Sequence, residues 1–164
     1  DAARYVIGAD SETVYCHEWN PPGSWYRHGA SAVAVFRMAR GIAYTYQGSW
    51  CAEGVNTSWE ADWHIICENG SLRWNGGNEI RAEGVTKTGG FASETEEVSV
   101  PVPEMDDDAT GHGGVIADFV AALQSGGEPL TVCTDNIKSL AMVHGAIESA
   151  ESGRQLPVRA SGAR

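Results

Sequence analysis

The chain has 164 residues, enough for one domain with its own core, and its 42% hydrophobic and 20% charged residues are the balance of a folding chain rather than a disordered one. Eleven basic against 22 acidic residues leave a net charge of −11 with no Lys/Arg cluster, which argues against a nucleic-acid groove or an anionic membrane surface. No apolar run approaches the ~20 residues of a spanning helix, so no membrane partner is expected.

Residues 1–7 predict a short helix, with Ala3, Val6 and Ile7 on one face and Gly8 as its C-terminal stop. The first residue is Asp1 rather than Met, which leads to the expectation that an upstream piece has been removed or was never included. Residues 13–19 read as a strand, and Pro21, Pro22 and Gly23 break the chain after it. The β-branched and aromatic runs 32–38 and 42–49 predict a hairpin closed by Ala39-Arg40-Gly41. Residues 63–68 form the next strand, Asn69-Gly70 is a hairpin turn, and 71–74 return. A further strand is expected over 78–82, a loop over 86–93, and an edge strand over 96–102 that holds Pro101.

After Asp106-Asp107-Asp108, expected as a solvated loop, the period becomes helical. Val115, Ile116, Phe119, Val120 and Leu123 share one stripe, and Gly126-Gly127 ends it. A second helix is predicted over 135–152, capped by Thr134 or Asp135, striped by Ile137, Leu140, Ala141, His144 and Ile147, and stopped by Gly153. Residues 156–158 predict a last short strand. The fold class is therefore α+β, an open and mainly antiparallel sheet with helices packed on one face. One domain is expected over 1–158, with 159–164 a disordered tail. The first hairpin carries apolar groups on both faces: Ala32, Ala34, Phe36 and Met38 on one, Val33 and Val35 on the other. Two helices cover one face, so the other predicts a homo-oligomer or a missing domain as its cover.

No nucleotide-binding glycine fingerprint, phosphate loop or serine elbow is present. Gly111-His112-Gly113-Gly114 reads as a flexible lead into a helix, since the aspartates upstream repel phosphate. His144 reads as a core histidine, and His64, flanked by Asp62 and Glu68, as part of a solvated strand face rather than a metal site. Cys16, Cys51, Cys67 and Cys133 show no metal-ligand or disulfide spacing; Cys16 and Cys67 lie in apolar runs. Free thiols are expected, and with them a reducing, cytoplasmic location. Of two Asn-x-Ser triplets, at Asn56 and Asn69, the second reads better as a turn. Six tryptophans are many, and Trp50 and Trp59 fall at strand ends or loops, where a ring can stack on a sugar or a nicotinamide as readily as it packs a sheet.

Three stretches together resemble the C-terminal domain of the glucose–fructose oxidoreductase / inositol dehydrogenase / rhizopine catabolism (Gfo/Idh/MocA) family. Asp1-Ala2-Ala3-Arg4-Tyr5-Val6-Ile7-Gly8 is similar to the end of the family's D-x-G-x-H-x-x-D helix motif. Residues 63–72 resemble its I-x-G-x-x-G turn between strands, with Cys67 in place of the first Gly. Phe119, Ala122, Gly126 and Pro129 match F-x-x-A-x-x-x-G-x-x-P, and Ser149-Ala150-Glu151-Ser152-Gly153 matches S-A-x-x-G.

The resemblance implies a parent oxidoreductase with an NAD- or NADP-binding Rossmann domain that this chain lacks, acting by hydride transfer on a sugar or polyol. It also implies that this domain binds the substrate and builds the homo-oligomer. The motif's His would lie three residues before Asp1, so the chain alone is expected to carry no catalytic residue, no cofactor and no activity. By position, the family's substrate aromatic falls on Trp59, with Thr57 the alternative register; Trp50 and Trp19 complete the expected substrate-binding set. The alternative reading is a free-standing, non-catalytic module that oligomerises or binds a small ligand.

Overall fold

The computed structural model describes residues 1–89, 91–102 and 111–160. The elements are α1 (Ala2–Ile7), β1 (Ser11–Trp19), β2 (Ser31–Met38), β3 (Ala43–Ser49), β4 (Trp63–Cys67), β5 (Gly70–Trp74), β6 (Ile80–Lys87), β7 (Glu94–Val98), α2 (Gly111–Ser125), α3 (Cys133–Ser152) and β8 (Leu156–Pro157). The class is α+β and all described strand pairs are antiparallel. The strands divide between two four-stranded sheets, ordered β3-β2-β1-β8 and β4-β5-β6-β7, instead of running through one. The chain accordingly forms two compact units, one from Asp1–Ala52 plus the chain from Gly114 onward, the other from Glu53–Gly113. Asp106–Asp108 and residues 161–164 of the expected tail lie outside the described residues.

The first unit is built on the predicted hairpin. β2 and β3 pair from Ser31↔Ser49 to Arg37↔Ala43, and the connection turns through Arg40 and Gly41, both at positive φ. Val14 and Cys16 of β1 and Ala34, Phe36 and Met38 of β2 point to one face and are buried there with Met142 of α3; Val14 and Met38 are sealed from solvent. Phe36 and Tyr44 add a stacked cross-strand pair, ring centroids 5.6 Å apart.

The helix that packs on this face does so through its small residues. Ser139, Met142, Gly145 and Ser149 of α3 are buried, whereas Leu140, Val143, His144 and Ile147 are exposed. Of the expected stripe, Ala141 is buried and Ile137 half-buried, but Leu140, His144 and Ile147 are not, so the packed face is rotated from the expected one and His144 is not a core histidine. Close approach explains the choice. A Cβ on Gly145 would stand 3.3 Å from Val14 Cγ1, so a bulkier residue there would push the helix off the sheet. Ser149 also completes β1 beyond the two-residue β8: its hydroxyl accepts from the Cys16 amide (2.9 Å) and donates to the Arg154 carbonyl (2.6 Å). Gly153 ends α3 in the left-handed conformation, as expected. No side chain caps the start of α3; its N-cap is Val132, and Asp135 lies in the first turn.

α2 behaves differently from the expected second cover. Its one buried residue is Ala122, and Val115, Ile116, Phe119 and Leu123 are exposed. The glycine segment at its start is helical from Gly111 rather than a loop. The expected edge strand ends at Val98, before Pro101, and the expected loop over 86–93 begins only after β6 reaches Lys87. In α1, Arg4 is buried beside Ala3, while Val6 is exposed. Among the described residues no helix is long and apolar enough to cross a membrane.

Candidate functional site

In the second unit, register sorts the side chains onto two different faces. Trp63, Trp74 and Ile80 form one cross-strand row, Ile65, Leu72, Ala82 and Val98 another, and both point to the same side. Trp63 and Trp74 stack there at 6.4 Å. A shallow depression of about 530 Å3 opens on this side, lined by Cys67, Leu72, Ala82, Gly84 and Val98 among others. Gly70 and Gly84 sit opposite each other and keep its floor free of side chains. The other side carries His64, Arg73 and Arg81 in one row and Ile66, Ser71, Glu83 and Glu97 in the next. His64 therefore faces Arg73, and no group of three His, Cys, Asp or Glu side chains fit to hold a metal occurs among the described residues.

Trp59 stands on a tight turn before β4. The Ser58 carbonyl accepts from the Ala61 amide (3.1 Å), the Ser58 hydroxyl accepts from the Glu60 amide (3.2 Å) and donates to the Asn75 carbonyl (3.2 Å), and Ala61 takes a positive φ of 66°. Trp63 donates its indole N–H to the Glu60 carbonyl (2.7 Å), and Trp74 donates to the Gly77 carbonyl (2.6 Å). The turn is thereby tied to the sheet while Trp59 stays 91% exposed. Thr57 is exposed two residues earlier in the same loop.

Trp19 and Trp50 belong to the first unit and meet at one end of its sheet. Ala30 links them, donating its amide to the Trp19 carbonyl (3.1 Å) and accepting from the Trp50 amide (2.8 Å). Trp19 stacks on His17 at 5.6 Å. Beside them the Ser31 hydroxyl donates to Ser49 (2.7 Å), and Ser49 lies 3.5 Å from the Cys51 sulfur. The structure thus gathers the expected residues into two pairs, Thr57 with Trp59 and Trp19 with Trp50, one pair in each unit.

All four cysteines carry free thiols, and Cys67 is an exposed strand residue rather than the small core hydrophobe expected. Hydrogen bonding to the Ser49 hydroxyl, and more weakly to other serines, holds the Cys51 thiol below its ordinary pKa. Burial, and then the charge of Glu18, push the buried Cys16 thiol up. Limiting alkylation near neutral pH is expected to modify Cys51 about tenfold faster than Cys16, since the thiolate is the nucleophile. Equal labelling of the two by peptide mass mapping would contradict that order.

Sequence reasoning missed the buried Arg4, which joins α1, the start of β1 and α3. Its guanidinium donates to Asp10 (3.0 and 2.8 Å), Asp135 (2.8 Å) and Ser139 (2.9 Å), and Lys138 reaches Asp10 (3.0 Å) and Asp135 (3.2 Å). Ser139 in turn donates to Asp1 (2.8 Å). The available signal was the excess of Asp around a lone arginine in an apolar helix.

No protein-family model matches the sequence, and no curated protein does. Solved structures do match. An oxidoreductase from Agrobacterium radiobacter, in complex with NAD+, L-tartaric acid and magnesium, is 22% identical, with a TM-score of 0.69 over 95% of this chain and 45% of its own. Levoglucosan dehydrogenase in complex with NADH and L-sorbose gives 18% identity and a TM-score of 0.71, over 97% of this chain and 47% of its own. Aldose-aldose oxidoreductase from Caulobacter crescentus, complexed with glycerol, gives 14% and 0.70, over 95% and 44%. The chain spans less than half the length of each of these neighbours. Likeness at such low identity is likeness of fold: this chain has the fold of one part of these oxidoreductases, in line with the α+β domain that its resemblance to the Gfo/Idh/MocA family implies.

Proposed function

We propose that the chain is the substrate-binding and oligomerisation domain of a nicotinamide-dependent sugar or polyol oxidoreductase. The observation that carries this reading is coverage: nearly all of this chain superposes on under half of enzymes crystallised with NAD+ or NADH and with L-tartaric acid or L-sorbose. A parent enzyme would hold its nicotinamide, NAD or NADP, on a separate Rossmann domain, as the family resemblance implies. Trp59 is the residue offered to the sugar ring, carried on a turn that Ser58 holds and largely exposed to solvent. Thr57 is the other proposed contact in this unit, and Trp50 and Trp19 are proposed as sugar contacts of the first unit by themselves.

Two measurements test the reading. Fluorescence titration of the purified chain with NADH is expected to show no saturable binding, because no dinucleotide fingerprint is present. Micromolar NADH affinity would overturn it. Titration with levoglucosan or L-sorbose, followed by tryptophan fluorescence, is expected to saturate weakly. Trp59→Ala should weaken it about fivefold, the loss of roughly 1 kcal/mol of stacking. Unchanged affinity in the variant would remove Trp59 from the site.

The second role rests on the sheet face that α3 leaves bare. Tyr15, Val33 and Val35 are cross-strand neighbours across β1 and β2, and lie between 37 and 47% exposed. Apolar clusters of this kind mark interfaces, and a two-fold pairing of sheets burying ~800 Å2 per partner would be a standard one. Screening within about 8 Å at physiological salt limits the repulsion from the net charge of −11. The chain is expected to sediment as a homo-oligomer at tens of micromolar and Val35→Glu as a monomer. A clean monomer for the unaltered chain would sink the idea.

A further inference from the structure

We propose that the polar face of the β4–β7 sheet binds a small carboxylate that carries hydroxyl groups along its carbon chain. The site goes beyond the reading above and stands or falls without it.

Arg73 and Arg81 are register partners on β5 and β6, and His64 of β4 faces Arg73 from the other side. Directly opposed side chains lie about 4.5–5.5 Å apart at Cβ, and like charges so placed repel. Among the described residues neither Arg73 nor Arg81 forms an ion pair. Arg37, on a strand of the other unit, does find a carboxylate, Glu12 at 3.1 Å. Two adjacent guanidiniums with no ion pair among the described residues, in a chain of net charge −11, are a local reversal of sign that an anion would relieve. Each guanidinium presents a fork of two parallel N–H bonds, the geometry that a carboxylate accepts.

The rest of the face narrows the ligand. Along the strands by two residues, or about 7 Å, Glu83 and Glu97 share the next row with Ser71. Glu83 already accepts the Thr95 hydroxyl at 2.8 Å. These groups and the basic row together line a depression of about 320 Å3, also bounded by Leu72 and Ala82. That size is at the low end of small-molecule sites, which run about 300–1,000 Å3. The two glutamates repel a phosphate dianion more than a singly charged carboxylate. They also accept hydrogen bonds from hydroxyls placed a few carbons from the acid group. A sugar acid meets both ends of the site, whereas a neutral polyol leaves the arginines unpaired. The lining side chains are largely exposed, so binding is weak and falls with salt.

The test is a titration of the full chain with gluconate at low ionic strength, read from backbone amide shifts. Glucitol, the uncharged counterpart, and inorganic phosphate are run beside it. Gluconate is expected to saturate in the millimolar range, with the largest shifts on β4–β6. Glucitol and phosphate should bind at least about tenfold more weakly. The paired variant Arg73→Gln with Arg81→Gln, checked for folding by its own amide spectrum, should lose gluconate binding about tenfold or more, and Arg37→Gln should not. Equal binding by the paired variant, equal binding of glucitol, or tighter binding of phosphate would each overturn the proposal.

Discussion

Replacing Arg4 by alanine is expected to cost about 2–4 kcal/mol of stability at neutral pH, a large share of the roughly 5–15 kcal/mol a domain has. The guanidinium is 8% exposed and bridges α1, the start of β1 and α3 through Asp10, Asp135 and Ser139. Alanine leaves two carboxylates facing each other with Lys138 as their remaining cation. Both carboxylates are about half exposed, which keeps the cost below that of a fully buried pair.

The pH dependence has a definite sign. Lys138 first, and then Arg4, hold Asp10 below its ordinary pKa; Arg4 first, and then Lys138, do so for Asp135. A carboxylate depressed in the folded state stabilises fully above its unfolded pKa of about 4 and loses that contribution as pH falls through the folded value. Lys138, raised by the same carboxylates, stabilises below its unfolded pKa and loses its share only as alkaline pH passes the folded one. The gap between the native chain and Arg4→Ala should thus be widest near neutrality and close below about pH 4. Asp10 keeps its principal partner in the variant, so part of the acid sensitivity persists. Urea unfolding across that range reads this directly, and coincident midpoints at neutral pH would refute it.

Gly70→Ala is expected to unfold the sheet of the second unit, at a cost of about 3 kcal/mol or more. Gly70 takes φ 155°, where L side chains are strained, and an added Cβ would overlap the backbone carbonyl of Glu83 on the neighbouring strand. A backbone oxygen within a ladder cannot swing aside as a long side chain can. The space opposite is no freer, since Gly84 faces Gly70 and a Cβ there would stand 3.2 Å from Val98. Limited proteolysis should cut the variant within residues 53–113 while the native chain resists. Equal resistance would show that the strands can part without loss.

Which parts of this were legible in the sequence follows from range. The β2–β3 hairpin, the Asn69-Gly70 turn, the stop at Gly153 and the last strand were all readable, because each is decided within a few residues. Membership of two sheets was not, since nothing in residues 50–62 marks a break that proline or a charged run would have signalled. The face of α3 was misread for a physical reason. Apolar periodicity points to Leu140 and Ile147, whereas contact distance selects Gly145 and Ser149. Arg4 was invisible because its partners lie 6, 131 and 135 residues away. Of the expected site, the exposure of Trp59 followed from its loop, but the turn that holds it depends on Asn75, across the sheet.

The second unit interrupts the first in sequence, leaving after Ala52 and returning at Gly114. Its β-strands pair only with near neighbours, so it can assemble as soon as it leaves the ribosome. The other unit must wait. β1 leaves early in synthesis with its apolar face uncovered, yet Met142, Ser149 and the β8 residues that pair with Thr13 and Val14 are made more than a hundred residues later. During that interval β1 and its hairpin partners are an uncovered sheet on a tethered chain, the condition in which nascent proteins recruit chaperones.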